Sequence, residues 1–271
     1  MADPRPITFL SDYGYEDEFA GVCRAVIAQI APGAPLIDLS HGIPRQDVRQ
    51  GAIVLANALP SCPPGVHLAV VDPGVGSARR AVAVAAAEGR LLVGPDNGLL
   101  MRALDRLGGA LDAVELSRSP FRLEPVSATF HGRDLFAPVA AHLSLGARLE
   151  EAGESIDPGS LVTLNLPTPE VGAREVVAHA LHVDGYGNVT LDLDAAMLAD
   201  GPLHPGERID VRAPDGRFEA IWARTFADVG AGDMLLFQDS SGALALAVSG
   251  GSAAGLMDLA PNREVTLRPL K

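Results

Sequence analysis

Three acidic, glycine-rich turns lie just past apolar runs in the first half of the chain. They are Ser11-Asp12-Tyr13-Gly14 with Asp17 following, Asp72-Pro73-Gly74-Val75-Gly76 with Arg79 and Arg80, and Gly94-Pro95-Asp96-Asn97-Gly98. Carboxylates at strand ends can accept hydrogen bonds, take up a proton or face a cation, and glycine lets a ligand approach the backbone, so the placement points to a pocket. The same residues are also good turn formers: Asp before Pro-Gly opens a turn and Asp-Asn-Gly closes one tightly. A fourth polar cluster, Thr129-Phe130-His131-Gly132-Arg133-Asp134, sets His131 between an extended segment and a helix. A lone histidine there is more often a helix-start or core hydrogen-bonding residue than a catalyst.

Other chemistries lack their signatures. Gly74-Val75-Gly76 is not a dinucleotide fingerprint, because Arg79 replaces the third glycine, and no Walker lysine follows. Neither GxSxG nor a credible Ser/His/Asp arrangement is legible, so acyl transfer through a serine is not expected. His67, His142, His179, His182 and His204 form no HExxH pattern, and neither a metal nor another cofactor is expected.

The elements that must position these turns alternate in type. Ile7 to Leu10 reads as a buried strand, followed by Phe19, Val22, Val26, Ile27 and Ile30 at helical spacing. Leu36 to Leu39 and His67 to Val71 read as strands around a helix from Asp47 to Leu59; Ala81 to Ala87 and Leu91 to Val93 read as a strand pair. Helices over Gly98 to Leu107 and Asp134 to Leu145 flank a strand at Ala113 to Leu116. Such alternation predicts a layered α/β domain with a largely parallel central sheet. From about Gly146 to Gly172 the period is lost among Pro158, Gly159, Pro167 and Pro169, which reads as a linker. Beyond it helices fade, and Val176 to Val183, Val189 to Leu193, Arg208 to Val211, Phe218 to Trp222, Met234 to Phe237, Ala243 to Val248 and Val265 to Leu267 predict a smaller antiparallel β-barrel. The expected division is 1–165 for the α/β domain and 166–271 for the barrel.

The 271 residues carry 34 acidic against 21 basic side chains, a net charge of −13 that disfavours nucleic acid and anionic membranes. Cys23 and Cys62 have no CxxC partner and read as core thiols. Met1 to Arg5 has no basic lead into a long apolar run, so a soluble, cytoplasmic protein is expected.

Taken jointly and in order, these segments resemble a known family. They are Phe9-Leu10-Ser11-Asp12-Tyr13-Gly14 through Asp17, Asp38-Leu39-Ser40-His41, Val71 to Gly76, Pro95 to Leu99, Thr129 to Asp134 and Asp184-Gly185-Tyr186-Gly187-Asn188, extended by Thr225-Phe226-Ala227-Asp228 and Gly251-Ser252-Ala253-Ala254. The family is that of the S-adenosylmethionine (SAM) hydrolases, the SAM hydroxide adenosyltransferases, related to fluorinating and chlorinating adenosyl transferases. The resemblance implies an N-terminal α/β domain, a C-terminal barrel, and a homotrimer whose ligand lies between one subunit's first domain and its neighbour's second. It implies hydrolysis of SAM to adenosine and methionine, with the family's Asp, Arg and His falling on Asp72, Arg79 and His131; Arg80 is the weaker match. It further implies that Asp12 accepts both ribose hydroxyls, Asp17 and Asp184 face the methionine ammonium, Tyr186 and Phe226 flank adenine, Asn188 reads its edge and Ser240 lies near the amino-acid carboxylate. Tyr186 and Phe226 also read as aromatics that simply pack.

Two rivals stay open. The halogenating relatives carry a tyrosine where this chain has Asp72, a changed histidine position, and, in the fluorinating members, an insertion after the region of Arg80. Gly132 does not discriminate between water and halide. Gln46 and Ser241 also depart from the fluorinating pattern, which has tryptophan and a carboxylate-binding arginine there. The second rival is a protein that binds an adenosine compound without turnover; a methyltransferase is disfavoured because no glycine-rich loop follows Leu10.

Overall fold

In a computed structural model that describes residues 3–270, the chain divides into two units between Leu164 and Asn165. The first unit runs β1 (Ile7–Ser11), α1 (Phe19–Ile30), β2 (Leu36–Ser40), α2 (Val48–Ala58), β3 (Val66–Val70), β4 (Ala81–Ala85), β5 (Leu91–Pro95), α3 (Met101–Arg106), β6 (Asp112–Glu115), α4 (Ala137–Ser144), α5 (Leu149–Ala152) and β7 (Glu154–Ile156). Its strands form one seven-stranded sheet in the order β2-β1-β3-β5-β4-β6-β7, parallel from β2 to β5 and antiparallel beyond.

Both faces of this sheet are covered. Ile7, Phe9, Leu68, Val70 and Val93 face a core shared with Phe136, Val139 and Ala140, while Leu10, Ala69, Val82, Val84 and Leu92 face one shared with Ala52, Leu55, Ala103 and Leu104. Successive side chains on a strand point to opposite faces, so a strand buried on both reads as a continuous apolar run, as β1 and β3 do. Helix α2 starts where the Asp47 carboxylate accepts the Gln50 N–H at 2.9 Å.

The segment over 146–172 departs from its reading as a linker. Leu149 and Ala152 are buried, and β7 adds an edge to the sheet by pairing with β6. At three residues β7 is too short to show any period. The helix expected from Asp134 instead begins with a wide π-type turn, Gly132–Phe136, before α4. Pro138 lacks the N–H that would bond back to the Asp134 carbonyl, which accepts from Leu123 N–H at 2.7 Å instead.

The second unit contains β8 (Glu170–Val171), β9 (Val176–Val183), β10 (Val189–Asp194), β11 (Arg208–Ala213), β12 (Gly216–Trp222), β13 (Met234–Gln238), β14 (Ala243–Val248), α6 (Ala253–Met257) and β15 (Glu264–Pro269). Its strands follow the order β10-β14-β13-β12-β11-β15-β9, and a β9–β10 pairing closes the ring, with β8 attached outside on β9. Every pairing is antiparallel except β12–β13, which is parallel. Helix α6, which the sequence did not announce, is capped by Ser252 Oγ accepting Gly255 N–H at 3.0 Å. No helix among the described residues is long and apolar enough to cross a membrane.

A buried polar line stitches β1 to β3. His67 Nε2 lies 3.3 Å from Arg90 Nη1, and its Nδ1 lies 2.9 Å from Thr8 Oγ1. Arginine only donates, so Nε2 accepts and the neutral ring carries its proton on Nδ1. Burial, reinforced by Arg90, pushes the His67 pKa down to about 4. Between that value and about 6.5 the unfolded chain binds the proton and the folded chain does not, so stability falls on acidification, by on the order of 3 kcal/mol across the window. Urea unfolding at pH 7 and pH 4.5 should show a larger acid loss for the unaltered chain than for His67→Gln; equal losses would remove His67 as the cause.

Candidate active site

Asp72 sits just past β3, where the parallel strands end, and Arg79 sits seven residues on, after a tight double turn. Ser77 Oγ donates to the Gly74 carbonyl at 2.6 Å and accepts from Arg79 N–H at 3.2 Å. That turn brings Arg79 back on Asp72: Nε donates to Oδ1 at 2.8 Å and Nη2 donates to Oδ2. The same Nη2 lies 3.0 Å from His131 Nδ1, and the guanidinium carbon lies 5.2 Å from the centre of the Phe136 ring. The pair is largely buried, with 10% of the Arg79 and 7% of the Asp72 side chain exposed.

Gly76 is what lets the two loops meet. Its φ is +77°, and a Cβ there would stand 2.5 Å from the Ala128 carbonyl oxygen, just before the segment that carries His131. That second loop is held by Asp134, whose carboxylate accepts the Ser127 N–H at 2.8 Å and is paired with Arg133.

Because a guanidinium has no acceptor, His131 Nδ1 must be the unprotonated nitrogen, so the neutral ring presents N–H at Nε2. Burial, followed by the positive charge of Arg79, lowers the His131 pKa below the ordinary histidine value; Asp72 and Asp134 oppose the shift. The cluster therefore offers a paired carboxylate and a neutral imidazole donor. Arg80, by contrast, turns to Asp96 at 2.8 Å and to the Ser160 carbonyl at 2.6 Å.

Asp12, Asp17, Asp72 and His131 line one cavity of about 710 Å³ in the first unit. Asp12 follows β1, and its Oδ2 accepts the Gln46 N–H at 2.8 Å. The polar residues of the third turn do structural work: Asp96 accepts the Val162 N–H at 2.8 Å, and Asn97 Nδ2 donates to the Val71 carbonyl at 2.9 Å.

The fold also assembles a Ser/His/Asp line that the sequence alone did not disclose. Ser11 Oγ is 2.7 Å from His41 Nδ1, His41 Nε2 is 3.3 Å from Asp38 Oδ1, and Asp38 pairs with Arg24 at 3.0 Å. Ser11 and His41 are fully buried, and Ser11 Oγ already accepts the Tyr13 N–H at 3.3 Å. A serine so enclosed is no nucleophile; the line anchors the loop that carries Asp12. Its signal was the pairing of β1 with β2, which brings the ends of the two strands together.

In the second unit Asp184, Tyr186, Asn188, Phe226 and Ser240 line a separate cavity of about 620 Å³. Asp184 organises its loop by accepting the Tyr186 and Asn188 N–H groups, each at 2.9 Å, and Asn188 Nδ2 at 2.8 Å. Tyr186 is 84% exposed, and Phe226 packs on Phe237 with ring centres 5.1 Å apart. Sequence reasoning missed Phe237 and Asp239, which line the same cavity. Phe237 reads as an ordinary strand residue; Asp239 accepts from Ser241 N–H at 2.8 Å and so shapes the turn after β13.

The chain matches the SAM hydroxide adenosyltransferase N-terminal domain over residues 7–153 and the corresponding C-terminal domain over 178–266. It is 48% identical to the (R)-S-adenosyl-L-methionine hydrolase of Salinispora tropica, over 96% of this chain and 97% of the relative. It is 27% identical to a fluorinase of an Actinoplanes species, over 96% of each chain. The crystal structure of an uncharacterized conserved protein from Thermotoga maritima superposes with a TM-score of 0.91 at 34% identity, covering 97% of this chain and 99% of that one.

The electrostatics of the cluster are open to direct measurement. In Arg79→Gln the positive charge that lowers His131 is gone, so nitrogen NMR should show the ring titrating at higher pH than in the unaltered chain. An unchanged titration would mean that Arg79 does not govern the histidine.

Proposed function

The chain belongs to the SAM hydroxide adenosyltransferase family, and on that premise we propose that it hydrolyses (R)-S-adenosyl-L-methionine to adenosine and L-methionine, with Asp72, Arg79 and His131 caging the attacking water. The observation that carries this reading is the single guanidinium gripping both a carboxylate and an imidazole at the edge of a cavity. No cofactor enters the reaction.

The ribose C5′ of SAM carries a sulfonium that departs as a neutral thioether, so the leaving group needs no proton. The work left to the protein is to hold and activate water in line behind C5′. Each Asp72 oxygen uses one lone pair on Arg79 and keeps another, so one of the two can accept the single proton that the water gives up. His131 Nε2–H donates to the same water from another side, leaving an oxygen lone pair for carbon. As the C5′–O bond forms, the C5′–S bond breaks and its electron pair stays on the methionine sulfur.

Around this centre Asp12 takes the ribose hydroxyls, and Asp17 and Asp184 face the ammonium. Tyr186 and Phe226 hold the adenine, and Ser240 lies near the amino-acid carboxylate. Asn188 has its Nδ2 committed to Asp184, which frees its Oδ1 to accept from the adenine amino group. Asp12, Asp17, Asp72 and His131 lie in the first unit's cavity and Asp184, Tyr186, Asn188, Phe226 and Ser240 in the second's, so one ligand needs both; together with the family membership this supports a homotrimer, cytoplasmic in this reading, that completes each site with cavities of two different subunits.

Halide transfer is the nearest rival, and a carboxylate at position 72 disfavours an anionic nucleophile through like-charge repulsion. With SAM and chloride present, adenosine should be the product; 5′-chloro-5′-deoxyadenosine as the main product would reverse the assignment. Asp72→Ala should keep its affinity for SAM while adenosine release drops by about 10²-fold or more, and equally slow release from both proteins would favour a binder. The rate should fall on acidification through a midpoint below the ordinary histidine value, as His131 takes the proton that breaks its bond with Arg79. Sedimentation should give three times the 28.1 kDa chain mass. Mixing Asp72→Ala with Asn188→Ala, each inactive alone, should then restore about a quarter of the sites if each joins two subunits; no recovery would place each site within one subunit.

A further inference from the structure

Gly132 adjoins His131, and a Cβ built on it would lie 2.1 Å from the Tyr13 hydroxyl and 3.1 Å from Tyr13 Cζ. The volume a side chain would take beside the histidine is therefore filled by a phenol reaching in from the loop after β1. Tyr13 and Gly132 line the same cavity as Asp72 and His131. The phenol is held firmly: its ring meets those of Phe9 and Phe130 edge-on, with centres 6.4 and 5.9 Å apart, and Phe19 at 6.0 Å in a tilted contact. Burial, then the neighbouring Cys23, Asp12 and Asp72, push the phenol pKa well up, so the group stays a neutral hydroxyl.

We propose that Tyr13 is a specificity-determining residue whose hydroxyl caps the nucleophile pocket, leaving room for water and excluding a nucleophile one carbon larger. The proposal rests on the reading that water attacks C5′ beside Asp72 and His131. In a close-packed wall, one oxygen atom is the difference between a space that admits a methyl group and one that does not. Methanol is the probe that matches this difference, being neutral and one carbon larger than water. In the step it would take, the methanol oxygen bonds to C5′ and its hydroxyl proton passes to Asp72. The C5′–S bond breaks with its electron pair kept by sulfur, giving 5′-O-methyladenosine and methionine.

The unaltered protein and Tyr13→Phe are compared in water–methanol mixtures by the ratio of 5′-O-methyladenosine to adenosine, a ratio that a general loss of activity leaves alone. Removing the hydroxyl should raise it by about tenfold or more, the scale of discrimination one carbon commands in a fitted pocket. An unchanged ratio overturns the proposal while leaving the hydrolase reading intact; absence of adenosine from the unaltered protein overturns both. A second measurement tests the contact itself. Gly132→Ala should lower the melting temperature and the rate in the native background, and adding Tyr13→Phe should recover part of each loss, because the hydroxyl in its way is gone. A double variant as impaired as Gly132→Ala alone would show that the hydroxyl is not what fills the space, and would overturn the proposal.

Discussion

One guanidinium, that of Arg79, must satisfy a carboxylate and an imidazole that arrive from separate stretches of the chain. Arginine has only donors, so it dictates the state of both partners: Asp72 is held as a two-pronged acceptor, and His131 is held in the one neutral tautomer that turns its N–H away. Removing one member of such a pair from a closed interior costs about 3–5 kcal/mol; beside an open cavity the figure is smaller, but the direction is the same. The glycine at 76 and the proline at 138 both serve this arrangement. The first lets the Asp72 loop approach the histidine loop, and the second frees the Asp134 carbonyl to tie that loop to Leu123.

The two units divide the chemistry unevenly. The guanidinium–carboxylate pair and the imidazole gather where the parallel strands of the first unit end, with Asp12 and Asp17 in the same cavity, while the barrel supplies Tyr186, Phe226, an amide and a further acid, Asp184. A cationic sulfonium substrate with an adenine at one end and an ammonium at the other suits that split, and so does a chain with a net charge of −13.

Much of this was legible from residue order, and physical reasons separate the readable part from the rest. Strands β1, β3, β4 and β5 stood out because burial on both faces makes them uninterrupted apolar runs, and the acids at 12 and 72 stood out because they follow two of those runs. The barrel strands were legible for a different reason, their turn residues. What could not be read depended on register. The line from Ser11 through His41 to Asp38 exists only because β1 and β2 pair in parallel, and β7 becomes an edge only because β6 offers it one. Phe237 carried no mark that distinguished a cavity wall from a core position. The wide turn at Gly132–Phe136 depends on one missing N–H, a detail that hydrophobic periodicity does not see.

The line from Ser11 to Arg24 has a consequence for protein engineering. The loop bearing Asp12 owes its shape to a histidine on the next strand's exit, an acid three positions before it, and a helix arginine beyond. It is therefore not a portable cassette: transplanted into another scaffold without those supports, its motif would travel but its geometry would stay behind.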